Sequence, residues 1–247
     1  MRQLFITGAS RGFGLALAKR LDSENTRITG LARTRGDFEG NFVNCDFSDP
    51  KAAAETLEAA FAQTDWENSE SAVFIANSGT LEPIDFLENL TIEEILNSLA
   101  TNLTGSFICL QRFLIATRNL EIPKLFIQIS SGAALPERAK PSWSLYCAAK
   151  SGQEQLARTV AKEQSYAPFP AKVINFNPGV METAMQEFIR ATPRSAFPDV
   201  DRFIELKENG QINAPETIAD ALAKLIDSHD KLDNGAAYQY SDFSVAR

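Results

Sequence analysis

The chain has 247 residues, enough for one α/β domain that buries roughly 70–75% of its unfolded surface. Hydrophobic residues make up 44% and the formal net charge is −8, which argues against nucleic acid or an anionic membrane as partner. A single histidine, His229, and three cysteines without metal spacing speak against histidine catalysis and zinc chemistry, and no run of about 18 apolar residues marks a membrane span.

Apolar runs alternate with helical patterns from end to end, which predicts a parallel sheet covered on both faces. Strands are expected at Gln3–Thr7, Arg27–Ala32, Asn41–Cys45, Ala72–Ala76, Lys124–Ser130, Lys172–Asn177 and Ala236–Tyr240. Helices are expected near Gly12–Ser23, Pro50–Thr64, Ile92–Arg118, Trp143–Tyr166 and Pro215–Ser228. Residues 1–247 thus read as a single Rossmann-type, doubly wound α/β domain with a seven-stranded parallel sheet.

The first strand breaks into Thr7-Gly8-Ala9-Ser10-Arg11-Gly12-Phe13-Gly14 and then into Leu15-Ala16-Leu17-Ala18. This strand–turn–helix cradles a pyrophosphate: glycine permits close backbone approach, and the helix start offers free N–H groups and a positive dipole end. The second strand ends Gly30-Leu31-Ala32-Arg33-Thr34-Arg35, with no acid before Asp37. An acid there accepts hydrogen bonds from a ribose, whereas Arg33, joined by Arg11 of the loop, suits a 2′-phosphate, so NADP(H) is the expected cofactor. The third helix opens with the capping box Thr91-Ile92-Glu93-Glu94, and Ile95, Leu99, Leu103, Phe107, Leu110 and Leu114 recur at helical spacing as a core or subunit-contact stripe. Residues 181–213, with Pro193, Pro198 and Gly210, have no clear sheet role.

Tyr146 and Lys150 stand four residues apart, one turn along one helix face. An ammonium held near a phenol favours the phenolate, lowers its pKa from about 10 and makes the tyrosine a usable general acid.

These stretches, with Asp46, Asn77-Ser78-Gly79, Asn102, Ser130-Ser131, Pro178-Gly179 and Thr183, resemble the short-chain dehydrogenase/reductase family over nearly the whole chain. Within it, Ile129 to Ala134, Trp143 to Cys147 and Asn177 to Gln186 look most like the sepiapterin reductases and related bacterial benzil reductases. The resemblance implies a catalytic set of Tyr146, Lys150, Ser131 and Asn102. Tyr146 would protonate the alkoxide, Lys150 would also bind the nicotinamide ribose, Ser131 would orient the carbonyl, and Asn102 would support a water-linked proton path. It further implies that Asp46 and Phe47 meet the adenine, that Asn77 and Gly79 line the adenosine ribose, and that Pro178, Gly179, Val180 and Thr183 hold the carboxamide. Ser131 stands 15 residues before Tyr146, two more than the family spacing, whose usual position is Ala133; two extra residues in the loop 135–142 account for the excess.

By the same resemblance, 181–213 is a substrate lid, and the chain pairs into a homodimer or homotetramer. Gln239 falls where sepiapterin reductases place a pterin-anchoring aspartate, which puts pterin reduction in doubt. Trp143, Phe188, Phe197 and Phe203 near the pocket favour an apolar ketone or 1,2-diketone. The expected function is NADPH-dependent carbonyl reduction of a small molecule. The alternatives are NADP-dependent alcohol oxidation and a silent dinucleotide-binding sensor. A strand at the very start and three scattered cysteines point to a cytoplasmic setting.

Overall fold

Side-chain alternation along the strands decides the layering of the fold. In the computed structural model, which describes residues 1–243, the strands are β1 (Arg2–Thr7), β2 (Thr26–Ala32), β3 (Asn41–Asn44), β4 (Ser71–Ala76), β5 (Lys124–Ile129), β6 (Lys172–Asn177) and β7 (Ala237–Gln239). They form one sheet in the order β3-β2-β1-β4-β5-β6-β7, and every neighbouring pair is parallel. The order reverses between β1 and β4, which opens a crevice at the C-terminal ends of the strands there.

Leu4, Ile6, Val73, Ile75, Leu125, Ile127, Ile174 and Phe176 point to one face. There they pack on α1 (Gly12–Leu21) and α8 (Pro215–Asp227) through Leu17, Ile218 and Leu222. The intervening Phe5, Phe74, Phe126 and Val173 point to the other face, against α2 (Pro50–Ala62), α4 (Gly105–Thr117) and α5 (Ser144–Gln164). Phe74 lies at the centre of this second layer. Its ring stacks on Phe126 at 5.3 Å and on Phe5 at 6.2 Å, with Phe61 and Phe113 around them.

The expected helix Ile92–Arg118 is not continuous. It consists of α3 (Ile92–Leu99), a π turn over Ala100–Thr104, and α4. The Thr91–Glu94 capping box is formed as read. Along the expected apolar stripe Leu110 is buried, Ile95, Leu99, Leu103 and Leu114 are half-buried and Phe107 is exposed, while Ile92 and Leu96 beside it are exposed as well. By length and composition alone the span Ile92–Thr117 would cross a membrane, but Asn102 and Ser106 within it are buried and hydrogen-bonded in the core. Segment 181–213, which shows no sheet pattern, contains α6 (Ala184–Ala191) and α7 (Val200–Glu208). The last four residues of the expected 1–247 domain lie outside the described residues.

Because Phe74 is fully buried between four rings, Phe74→Ala is expected to destabilise the fold by about 3–5 kcal/mol in urea denaturation, as large-to-small core changes do. A loss below about 1 kcal/mol would contradict this packing.

Candidate active site

The crevice is a cleft of about 1950 Å³, larger than the roughly 300–1,000 Å³ of a site for one small ligand. Its glycine-loop end is lined by Gly8, Ser10, Arg11, Gly12 and Phe13, and the loop shape is enforced sterically. Gly8 has φ +68° and Gly12 +54°, and a Cβ at Gly14 would stand 2.2 Å from the Gly8 carbonyl oxygen. Gly14 therefore shapes the loop from below and does not itself line the cleft. Helix α1 starts there with no side-chain cap and no acid in its first turn, so its N–H groups are available to an anion. Asn77 locks the loop from β4, donating from Nδ2 to the carbonyls of Thr7 at 3.0 Å and Gly8 at 3.4 Å.

Arg33 and Arg11 are both exposed on the cleft wall, and among the described residues neither has an ion-pair partner. Arg35 is used differently, bonding the Gly40 carbonyl at 3.1 Å and lying over the Phe42 ring. Asp37 lines the same end of the cleft. Asp46 also lines it, its carboxylate accepting from the backbone and hydroxyl of Ser48, both at 2.9 Å, while Phe47 is buried beneath. Gly79, Pro178, Gly179, Val180 and Thr183 line the middle. Gly179 adopts φ +70°, and the Tyr240 ring packs so close that a Cβ there would sit 2.9 Å from it. The sequence reading missed Tyr240 as the support of this turn.

Tyr146, Lys150 and Ser131 converge where β5 ends. The Ser131 hydroxyl is hydrogen-bonded to the Tyr146 phenol and also caps the short turn Gly132–Ala134 by accepting from Ala133 N at 3.2 Å. Ser131 thus meets the tyrosine despite the longer spacing. Between Ser131 and Tyr146 the chain forms 3₁₀ turns at Gly132–Ala134 and Pro136–Arg138, and Ala133 is buried.

One expectation is corrected. Lys150 shares the helix face with Tyr146, its ammonium 5.7 Å from the ring centroid, but it does not lower the phenol. Burial pushes Tyr146 up to about 12, offset only in part by the Ser131 hydrogen bond. The lysine ammonium donates instead to the Ile129 carbonyl at 2.8 Å, and burial brings it down to about 8 against the opposing pull of Glu154. Glu154, one turn beyond Lys150, accepts from Ser130 at 2.5 Å and pairs with Arg158 at 2.6 Å. Its i+4 spacing from Lys150 was the available signal.

Asn102 does not line the cleft. It is fully buried in the π turn and clamps the loop after β4, accepting from Thr80 N and donating to Thr80 O, both at 2.8 Å. Its own carbonyl accepts from the Gln153 amide and from Ser106 at 3.2 Å. Asn102 thus acts on the cleft through the Thr80 loop.

The far end of the cleft carries an apolar wall beside the ion pair of Lys140 and Asp199, which is 3.3 Å long. Leu81, Ile84, Trp143, Phe188 and Phe203 line it. Trp143 meets the Tyr146 ring edge-on at 5.9 Å and stacks on Phe197 at 5.3 Å, Phe197 itself being fully buried behind the wall. The Trp143 Nε1 is buried without a hydrogen-bond partner among the described residues. Gln239 is a second correction. It is exposed at the end of β7, outside the cleft lining, and its side chain caps the turn Tyr240–Asp242.

Comparison with known proteins agrees with this geometry. A family profile described as short chain dehydrogenase matches residues 2–194. A benzil reductase ((S)-benzoin forming) of Bacillus cereus is 30% identical over 240 residues, covering 93% of this chain and 96% of that protein. A sepiapterin reductase of Xenopus laevis is 27% identical over 90% of this chain and 89% of its own length. A solved short chain dehydrogenase/reductase from Saccharomyces cerevisiae superposes with a TM-score of 0.80 at 23% identity, covering 99% of this chain and 100% of that one.

Replacing Asn102 by Ala would leave Thr80 N without its acceptor inside the fold. The expected cost is about 1–3 kcal/mol of stability, with faster amide exchange at Thr80 than elsewhere in the loop. Unchanged exchange at Thr80 would refute the clamp.

Proposed function

The chain belongs to the short-chain dehydrogenase family of oxidoreductases, and from that premise we propose that it is an NADPH-dependent carbonyl reductase acting on an apolar ketone or 1,2-diketone. One observation carries this reading: a partly buried tyrosine, a serine hydroxyl and a buried ammonium converge between a glycine-loop cradle and an apolar wall. The strained glycines and the uncapped start of α1 fit a dinucleotide pyrophosphate. Arg33 and Arg11, both without ion-pair partners among the described residues, fit its 2′-phosphate. Pro178, Gly179, Val180 and Thr183 would bind the carboxamide end, Asn77 and Gly79 the ribose, and Asp46 with Phe47 the adenine edge.

A bound reduced nicotinamide supplies the hydride. Ser131 would orient the substrate carbonyl, Tyr146 would give its hydroxyl proton to the developing alkoxide, and Lys150, cationic below about pH 8, would stabilise the negative charge left on the phenol. Leu81, Ile84, Trp143, Phe188 and Phe203 would receive the apolar body of the substrate, and 181–213 would act as its lid. Exposed Ile92, Leu96 and Phe107 fit pairing into a homodimer or homotetramer. Three free thiols among the described residues fit a reducing, cytoplasmic compartment.

Benzil reduction followed at the nicotinamide absorbance tests the chemistry. Tyr146→Phe is expected to lower kcat by about 10²–10⁴-fold, the usual worth of a positioned proton donor. In the parent, kcat/KM for the dinucleotide reports the free enzyme. It should be flat at low pH and fall above about pH 8 as Lys150 loses its charge. A fully active Tyr146→Phe, or a profile level to pH 9.5, would refute the assignment.

Cofactor choice has its own test. Arg33→Ala is expected to weaken NADPH by about 10–100-fold, the worth of charge-assisted contacts to a phosphate, and to leave NADH unchanged. A parent preferring NADH would overturn it, with Asp37 as the residue then facing the ribose.

A further inference from the structure

Segment 181–213 leaves the sheet after β6 and closes on itself at a neck. Met181 and Asn213 form a parallel bridge there, with Glu182 N donating to Asn213 O at 2.9 Å and Asn213 N to Val180 O at 3.1 Å. At the same neck the Glu182 carboxylate reaches both helices of the segment. It meets Arg190 of α6 at 2.6 Å and Lys207 of α7 at 2.9 Å. The Glu182 side chain is 29% exposed and that of Arg190 15%, so this pair is screened less than an ordinary surface bridge. Lys207 and Arg190 together hold the Glu182 carboxyl below its usual range, although desolvation opposes them.

The next residue, Thr183, is the N-cap of α6 and lies directly beside the glycine loop. A Cβ added at Gly12 would lie 3.6 Å from its Cγ2. The glycine loop, Thr183, Glu182 and the two helices are therefore successive contacts in one chain. The helices in turn supply Met185, Phe188, Ile189, Phe203 and Leu206 to the cleft wall.

We infer that Glu182 is a positioning residue, the joint through which a dinucleotide resting against both the glycine loop and Thr183 fixes the pose of α6 and α7 and so assembles the substrate wall. This rests on the carbonyl-reductase reading above. Two ion pairs from one carboxylate make the segment move as a unit about its neck. Neutralising that carboxylate frees each helix to take its own pose and uncouples the substrate end from the cofactor end.

The chain has two tryptophans, and Trp143 stacks on Phe197 and packs on Phe203. In a Trp66→Phe background, Trp143 emission therefore reports the pose of that segment. Parent, Glu182→Gln and Lys207→Gln forms are titrated with NADP⁺, and benzil kinetics are measured with NADPH. The NADP⁺ affinity is expected to stay within about twofold in all three, while the emission change on binding disappears in Glu182→Gln and shrinks in Lys207→Gln. The benzil KM should rise about tenfold in Glu182→Gln, with kcat altered less than about threefold. A Glu182→Gln enzyme with the parent's emission change and KM overturns the inference, as does one that loses kcat, KM and NADP⁺ affinity together. If Glu182→Gln does not fold, Lys207→Gln decides, since it cuts one half-exposed arm only. A parent that binds no NADP⁺ or turns over no benzil fails the functional reading itself, and the inference with it.

Discussion

The hydrogen bond from the Lys150 ammonium to the Ile129 carbonyl ties helix α5 to the end of β5. A buried charge is tolerated only with a strong partner, and here a strand-end carbonyl serves. That single contact fixes the rotation of α5, which places the Tyr146 phenol against Ser131 at the next residues of the same strand exit. Glu154 completes the arrangement one turn further on, tying the helix to Ser130. Burial raises the tyrosine and lowers the lysine, bringing a neutral donor and a readily discharged cation together at one place.

Around this junction, polar groups beside and beneath the cleft decide its shape. Asn102 holds the Thr80 loop from inside the π turn, and Gln153 of α5 engages the Asn102 carbonyl. Asn77 holds the glycine loop from the neighbouring strand. Tyr240 packs beneath the Pro178-Gly179 turn. A parallel sheet brings all of these to its C-terminal edge, because each loop leaves its strand at the same end.

The glycine loop, the order of strands and helices, and the Tyr146–Lys150 pair were legible because each depends on residues close in sequence. So was the capping box at Thr91. The π turn was not, since Asn102 and Gly105 signal only a local irregularity, and the Thr80 backbone that Asn102 meets there lies 22 residues away. The raised tyrosine was misread for a similar reason. The spacing of four was right, but the competing carbonyl at Ile129 comes from another element. Gln239 was placed by likeness of a strand, while its side chain is taken by the turn that follows.

By itself, the sequence determined the fold class, the glycine loop and the family, because hydrophobic periodicity and glycine spacing are local and carry their own steric meaning. Tertiary structure alone decided which polar group answers which. Ser131 rather than Ala133 meets the phenol, Asn102 clamps a loop, and Glu182 joins two helices that the sequence left without any assigned element. The physical reason is that desolvation and ion pairing depend on distances between segments remote in the chain, and no spacing along the chain encodes them.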